Sequence, residues 1–200
     1  MGDFLACFQK GYVRGKVPTR LNDDIAYRIG RACSQTHGSR LVAIGRSEGH
    51  VYESLAYSLA RGLMDGGTHV IPLGKADSEE LRLAISSQNA DAGILAGGHP
   101  ADANSASIII YDALGQPLDD ANGLAAIEET AAIQNYPACS KPGGLRKLAI
   151  RPRYLQQLLD ATPGIANLHI LNIGHGPAFE IIQQLPGCGV TSIPALVTPA

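Results

Sequence analysis

Short apolar runs alternate with segments of helical period along the first two thirds of the chain. The runs Leu41–Gly45, His69–Gly74, Ala92–Ala96 and Ser107–Tyr111 each have turn residues behind them. That pattern marks strands buried on both faces, although a run of this length taken alone also fits a buried helix. Before and between them, Leu21, Ile25, Ile29 and Ala32–Cys33 recur at helical spacing. Asn22 caps this helix, and Asp23 and Asp24 fill its first turn, where the dipole favours negative charge. Its other faces carry Arg28 and Arg31 and read as solvated. Val51, Leu55, Leu59 and Leu63 define a second helix, closed by Gly66–Gly67. A third begins near Asp77–Ser78, where Asp77 and Glu80 have capping-box spacing. A fourth runs from Asp120 to Gln134 with Leu124, Ile127 and Ala131 inward.

This alternation predicts a three-layer α/β/α sandwich around a mostly parallel sheet. Ser107–Tyr111 follows Ala92–Ala96 too closely for a helical crossover. It is therefore an antiparallel neighbour, and the sheet is mixed. The pattern breaks at residues 135–153, which hold Pro137, Pro142, Pro152 and adjacent Gly143 and Gly144. The expected organisation is a domain over 1–135, a linker over 136–153 and the start of a second domain over 154–200. That last part reads as a helix at Tyr154–Ala161, a strand at Leu168–Gly174, a helix at Pro177–Leu185 and a strand at Val190–Ile193. A lone βαβ unit has open edges and little core.

Composition narrows the function classes. The 200 residues carry 16 Lys and Arg against 18 Asp and Glu, a net charge of −2, so no clustered positive charge for nucleic acid is expected. No apolar run reaches the roughly 18 residues of a membrane span, and MGDFLACFQKG does not read as a secretory leader. Cys7, Cys33, Cys139 and Cys188 form no CxxC pair and no zinc-finger spacing, as expected of reduced thiols in the cytoplasm.

The motifs FQKGYVRG (Phe8–Gly15), LNDDIAYRIGRA (Leu21–Ala32), LVAIGR (Leu41–Arg46), ARGLMDGGTHVIPLG (Ala60–Gly74), NADAGILAGGHPAD (Asn89–Asp102) and LHILNIGHG (Leu168–Gly176) come in a known order. The chain resembles the α-D-phosphohexomutases, in their bacterial phosphomannomutase/phosphoglucomutase branch, as a first domain and the beginning of a second. The resemblance implies that fold. It also implies phosphoryl transfer between the 1- and 6-positions of a hexose, through a phosphoserine in a Thr-Ala-Ser-His-Asn-Pro loop and a magnesium ion held by aspartates of the second domain. The corresponding loop here is Ala96-Gly97-Gly98-His99-Pro100, and Gly98 stands at the serine position. Glycine has no oxygen to accept a phosphoryl group. Ser105 and Ser107, further on, carry no motif. In Gly11-Tyr12-Val13-Arg14-Gly15 the family's Arg-Gly survives while Tyr12 replaces its Asp. Gly45-Arg46-Ser47-Glu48-Gly49-His50 departs from the family's polar set, and no Asp-x-Asp-x-Asp occurs.

The expectation is a truncated, degenerate homologue with no catalytic residue, no metal and no cofactor. Its role would be binding or regulation in sugar-phosphate metabolism, and the alternative is a phosphomannomutase fragment active once other domains are supplied. Arg14, Gly97, Gly98 and His99 are the candidate phosphate-binding residues, for a weakly held phosphate or sugar phosphate, since a guanidinium and backbone N–H groups suit an anion. Expected partners are a second copy or a full-length phosphohexomutase, not nucleic acid or membrane. The loop histidines His50, His99 and His175 share no metal-ligand spacing, and Gly174-His175-Gly176 reads as a structural turn.

Overall fold

The computed structural model describes residues 4–36, 38–99, 102–161, 168–173, 177–184 and 188–193. The chain divides into two compact units, residues 1–148 and 149–200. The first contains β1 (Phe8–Gln9), β2 (Tyr12–Lys16), α1 (Asp23–Thr36), β3 (Leu41–Arg46), α2 (His50–Asp65), β4 (His69–Lys75), α3 (Ser78–Gln88), β5 (Ala92–His99), β6 (Asp102–Tyr111) and α4 (Leu124–Ile133). Six strands form one sheet in the order β1-β2-β6-β5-β3-β4. β3, β4 and β5 are parallel, whereas β6 is antiparallel to both β5 and β2. The mixed α/β architecture is the one expected from the alternation.

Local chemistry explains where elements begin. The Asn22 side chain accepts a hydrogen bond from the Ile25 amide at 3.0 Å and caps α1. Asp77 accepts from the Glu80 amide at 2.8 Å while the Glu80 carboxylate accepts from the Asp77 amide at 3.3 Å, a complete capping box. α4 starts at Leu124, four residues later than expected. The Asp119 carboxylate takes the Ala121 and Asn122 amides into a turn, and Gly123 at φ 134° separates that turn from the helix. The periodicity also misplaces Val51, which is 43% exposed in the first turn of α2 beyond the strand ends.

The β1–β2 hairpin is absent from the sequence reading. Its signal is the two-residue loop Lys10–Gly11, with Gly11 at φ 82°. β5 runs on through Gly97 and Gly98 to His99, past the expected end at Ala96, because β6 stays paired with it.

Val42, Ile44, Ile94 and Ile108 of the sheet pack with Leu21, Ile29 of α1, Leu55, Leu59 and Leu63 of α2, and Leu124 and Ile127 of α4 in one buried cluster. α3 covers the opposite face, where Leu81 and Ile85 lie against Gly93. α1 and α2 approach backbone to backbone. A Cβ on Gly30 would fall 2.3 Å from the Leu59 carbonyl oxygen, and one on Gly62 would fall 2.1 Å from that of Tyr27.

Residues 136–148, from the segment read as a linker, lie with the first unit. The Gly143 amide donates to the Met64 carbonyl at 2.7 Å, and Val70 exchanges backbone bonds with Gly144 and Arg146 at 2.9 and 2.8 Å. In the second unit, α5 (Ile150–Ala161) begins four residues before Tyr154, with Pro152 in its first turn, where a missing N–H costs nothing. β7 (Leu168–Ile173) and β8 (Cys188–Ile193) pair in parallel across α6 (Pro177–Ile182), and Arg151 pairs with Glu180. Gly174–Gly176, with His175, lies outside the described residues. Among the described residues no helix is long and apolar enough to cross a membrane.

Two measurements follow from this packing. Gly62→Ala drives a methyl into backbone and should destabilise the domain by about 2–3 kcal/mol. At about 2–4 °C per kcal/mol for a chain of this size, calorimetry should show a clear fall in Tm. Burial raises the Cys7 thiol to about 11 and the Cys33 thiol to about 12, so neither forms reactive thiolate near neutrality. Iodoacetamide at about pH 8 should label half-buried Cys139 ahead of Cys7 and Cys33, and mass spectrometry should find Cys7 and Cys33 modified only after unfolding.

Candidate functional site

The carboxyl ends of β2, β3, β4 and β5 share one edge of the sheet, because all four strands run the same way. In open α/β sheets this edge is where ligands bind. The turn after β3 brings Arg46, Ser47, Glu48, Gly49 and His50 to it. Arg46 donates to the Glu53 carboxylate at 3.1 Å and to the Ser47 carbonyl at 3.2 Å. Lys75, at the end of β4, pairs with Glu48 at 2.6 Å. His50 is fully exposed, 3.9 Å from Glu53.

Arg14 and the glycine pair lie in neighbouring strands. Arg14 is half-buried and opposite Ser107 of β6, and Ser107 is opposite Gly97 of β5. The Ser107 hydroxyl donates to the Gly97 carbonyl at 3.3 Å. Arg14 and Gly97 therefore stand in one row, two strand spacings or about 10 Å apart. Gly97 shares the α3 face with Gly93, and a Cβ there would sit 2.8 Å from the Ser47 hydroxyl oxygen. Gly98 points the other way, toward α2. A Cβ on Gly98 would lie 2.4 Å from the Tyr52 hydroxyl oxygen and 3.0 Å from Cζ. The same ring passes 3.2 Å from the Cβ position of Gly49, whose φ is +133°. Two glycines thus leave room for Tyr52, which takes the space of a side chain at position 98. The side chain of His99 falls outside the described residues.

Sequence reasoning overlooked Tyr52, Lys16 and Arg20. Lys16 follows Arg14 by two residues on one strand face, a signal that becomes readable once β2 is known to be a strand. Tyr52 has no local signal. Its position comes from the docking of α2 on the sheet.

The resemblance implies magnesium held by aspartates of the second domain. Among the described residues no three His, Cys, Asp or Glu side chains come together in a group that could hold a metal ion.

Comparison with known proteins places this geometry. Residues 6–136 match the family model described as phosphoglucomutase/phosphomannomutase, alpha/beta/alpha domain I. A phosphomannomutase of Escherichia coli is 31% identical over 190 residues, covering 90% of this chain and 41% of that protein. A phosphomannomutase of Klebsiella pneumoniae is 33% identical over 155 residues, covering 76% of this chain and 98% of that protein. A phosphoglucomutase/phosphomannomutase family structure from Burkholderia thailandensis shares the fold, with a TM-score of 0.82 at 17% identity over 94% of this chain and 43% of its own. The chain thus spans 41% of the length of the E. coli relative, and it belongs to the phosphoglucomutase/phosphomannomutase family.

Proposed function

We propose that this chain binds phosphorylated ligands on a phosphohexomutase first-domain scaffold without itself transferring the phosphoryl group. Its role is binding or regulation in cytoplasmic sugar-phosphate metabolism. The observation that carries the reading is Gly98: the position aligned with the family's phosphoserine has no hydroxyl, and the Tyr52 ring fills the space beside it. A glycine at that place supplies no nucleophile for transfer through an enzyme-bound phosphate. A second copy of the chain, or a full-length phosphohexomutase, is the partner proposed for it. A second reading is favoured by the partial coverage of the E. coli phosphomannomutase: the chain is a fragment of such an enzyme and acts only with further domains.

The purified chain, with a hexose bisphosphate and magnesium, should neither convert mannose 1-phosphate to mannose 6-phosphate nor acquire phosphate. Stoichiometric phosphoserine, or turnover at a mutase rate, would overturn the proposal. Turnover appearing only after the remaining domains of a phosphomannomutase are added, without its first domain, would establish the fragment reading.

Gly98→Ser should not restore activity, and it should cost about 1–3 kcal/mol through overlap with Tyr52. Thermal unfolding of Gly98→Ser, Tyr52→Ala and the double variant checks this. The serine should cost less in the Tyr52→Ala background, giving a coupling of about 1 kcal/mol or more.

A further inference from the structure

We infer that the first unit binds a second copy of this chain head to tail, with Leu145 of one copy seated in an apolar groove of the other. The groove lies between Val17 and Pro18 on one side and the first two turns of α2 on the other. The inference rests on the second copy proposed above as a partner and locates the contact. The groove holds about 300 Å³, with Val17, Pro18, Val51 and Leu55 as its apolar lining. Val51 is 43% exposed there, while Leu55 is buried.

Charge selects the occupant. Asp23 is the one carboxylate in the lining, and no Lys or Arg lines it. It accepts the Ser54 hydroxyl at 2.7 Å and has no ion pair among the described residues. Such a groove takes an aliphatic side chain with a cation close behind it. Exposed Leu114 sits over a carboxylate instead, since its amide donates to Asp112 at 2.9 Å. Exposed Ile133 ends α4 with no Lys or Arg within seven residues. Leu145, 62% exposed, is followed by Arg146 and Lys147. Both cations are exposed, and among the described residues neither side chain makes a hydrogen bond or an ion pair. Lys147 stands two positions from Leu145, roughly 7 Å along an extended chain. Burial of Leu145 against Val51 drives the contact, and a cation beside Asp23 fixes its register.

The sheet keeps the two surfaces of one copy apart. In the order β1-β2-β6-β5-β3-β4, Val17 follows β2 and Leu145 lies along β4, four strand spacings or roughly 19 Å away. They also stand at opposite ends of the strands: Val17 just past the carboxyl end of β2, Leu145 opposite Val70 near the amino end of β4. Backbone bonds from Gly143 to Met64, and between Val70 and both Gly144 and Arg146, hold Leu145 there. A copy therefore cannot fill its own groove. Two different surfaces meet, so the contact is heterologous, and each end of a pair keeps a surface for the next copy. The contact is small, and small contacts are weak and transient.

The test is sedimentation velocity of the full chain from about 10 µM to about 1 mM, a range that brackets a Kd on the order of 100 µM. The average mass should rise across this range, and less steeply as salt screens the ion pair. Leu145→Asp sets a carboxylate against Asp23, and Val51→Lys sets a cation against Lys147. Each variant alone should stay monomeric, with the circular dichroism of the parent. Leu114→Asp, at an even more exposed leucine, should associate like the parent. Mixed in equal amounts, the Val51→Lys and Leu145→Asp chains should form one-to-one pairs that grow no further, because the intact Leu145 of the first enters the intact groove of the second. The inference is overturned if the parent stays monomeric at about 1 mM, well above that Kd, if either variant associates like the parent, or if the mixture forms no pairs. Association that survives both substitutions keeps the second copy as a partner and places the contact elsewhere, whereas a monomeric parent removes the second copy itself. Neither result touches the absence of phosphoryl transfer.

Discussion

The backbone contact between α1 and α2 sets the dimensions of the first unit. Gly30 and Gly62 meet where any side chain would overlap a carbonyl of the facing helix. Close-packed interiors transmit such spacing instead of absorbing it. Leu59 and Leu63 reach the sheet because α2 sits this close to α1, and the first turn of α2 is carried to the strand ends. There it delivers Tyr52 to Gly98 and Glu53 to Arg46. A helix contact deep in the fold therefore decides what stands beside the β5 glycines.

Much of this architecture was legible because burial on both faces writes itself into composition. Leu41–Arg46 and Ala92–Ala96 are apolar at nearly every position, and both proved to be central strands. The starts of α1 and α3 were readable because Asn22 and Asp77 cap through their own side chains. The hairpin of β1 and β2 was not, since Val13 is the one aliphatic side chain in Tyr12–Lys16 and the strand is recognised by its partner β6. Gly97 and Gly98 carried a turn signal, yet the opposing β6 holds them in the ladder. Neighbouring strands override local preference in such places.

The site shows the same division. Arg14 was identifiable from its motif. Lys16 and Arg20 line one cavity with it only through strand alternation and a turn closed over Gly15. Gly98 looked like the loss of a serine and nothing more. The structure adds that the vacated space is occupied by a residue 46 positions earlier in the chain, Tyr52. A glycine forced by a distant ring leaves no trace in its own neighbourhood.

The path of residues 143–146 beside β4 bears on how this chain can be divided. β4 is the last strand of the sheet, and Val70 would otherwise present unpaired backbone groups on that side. Open strand edges recruit other chains. Gly143 fits there because a Cβ would fall 1.9 Å from the Thr68 carbonyl oxygen, so few other sequences can lie along the same track. A first domain excised at residue 135 would lose this cover and gain a sticky margin. One ending at Leu148 keeps its own margin sealed.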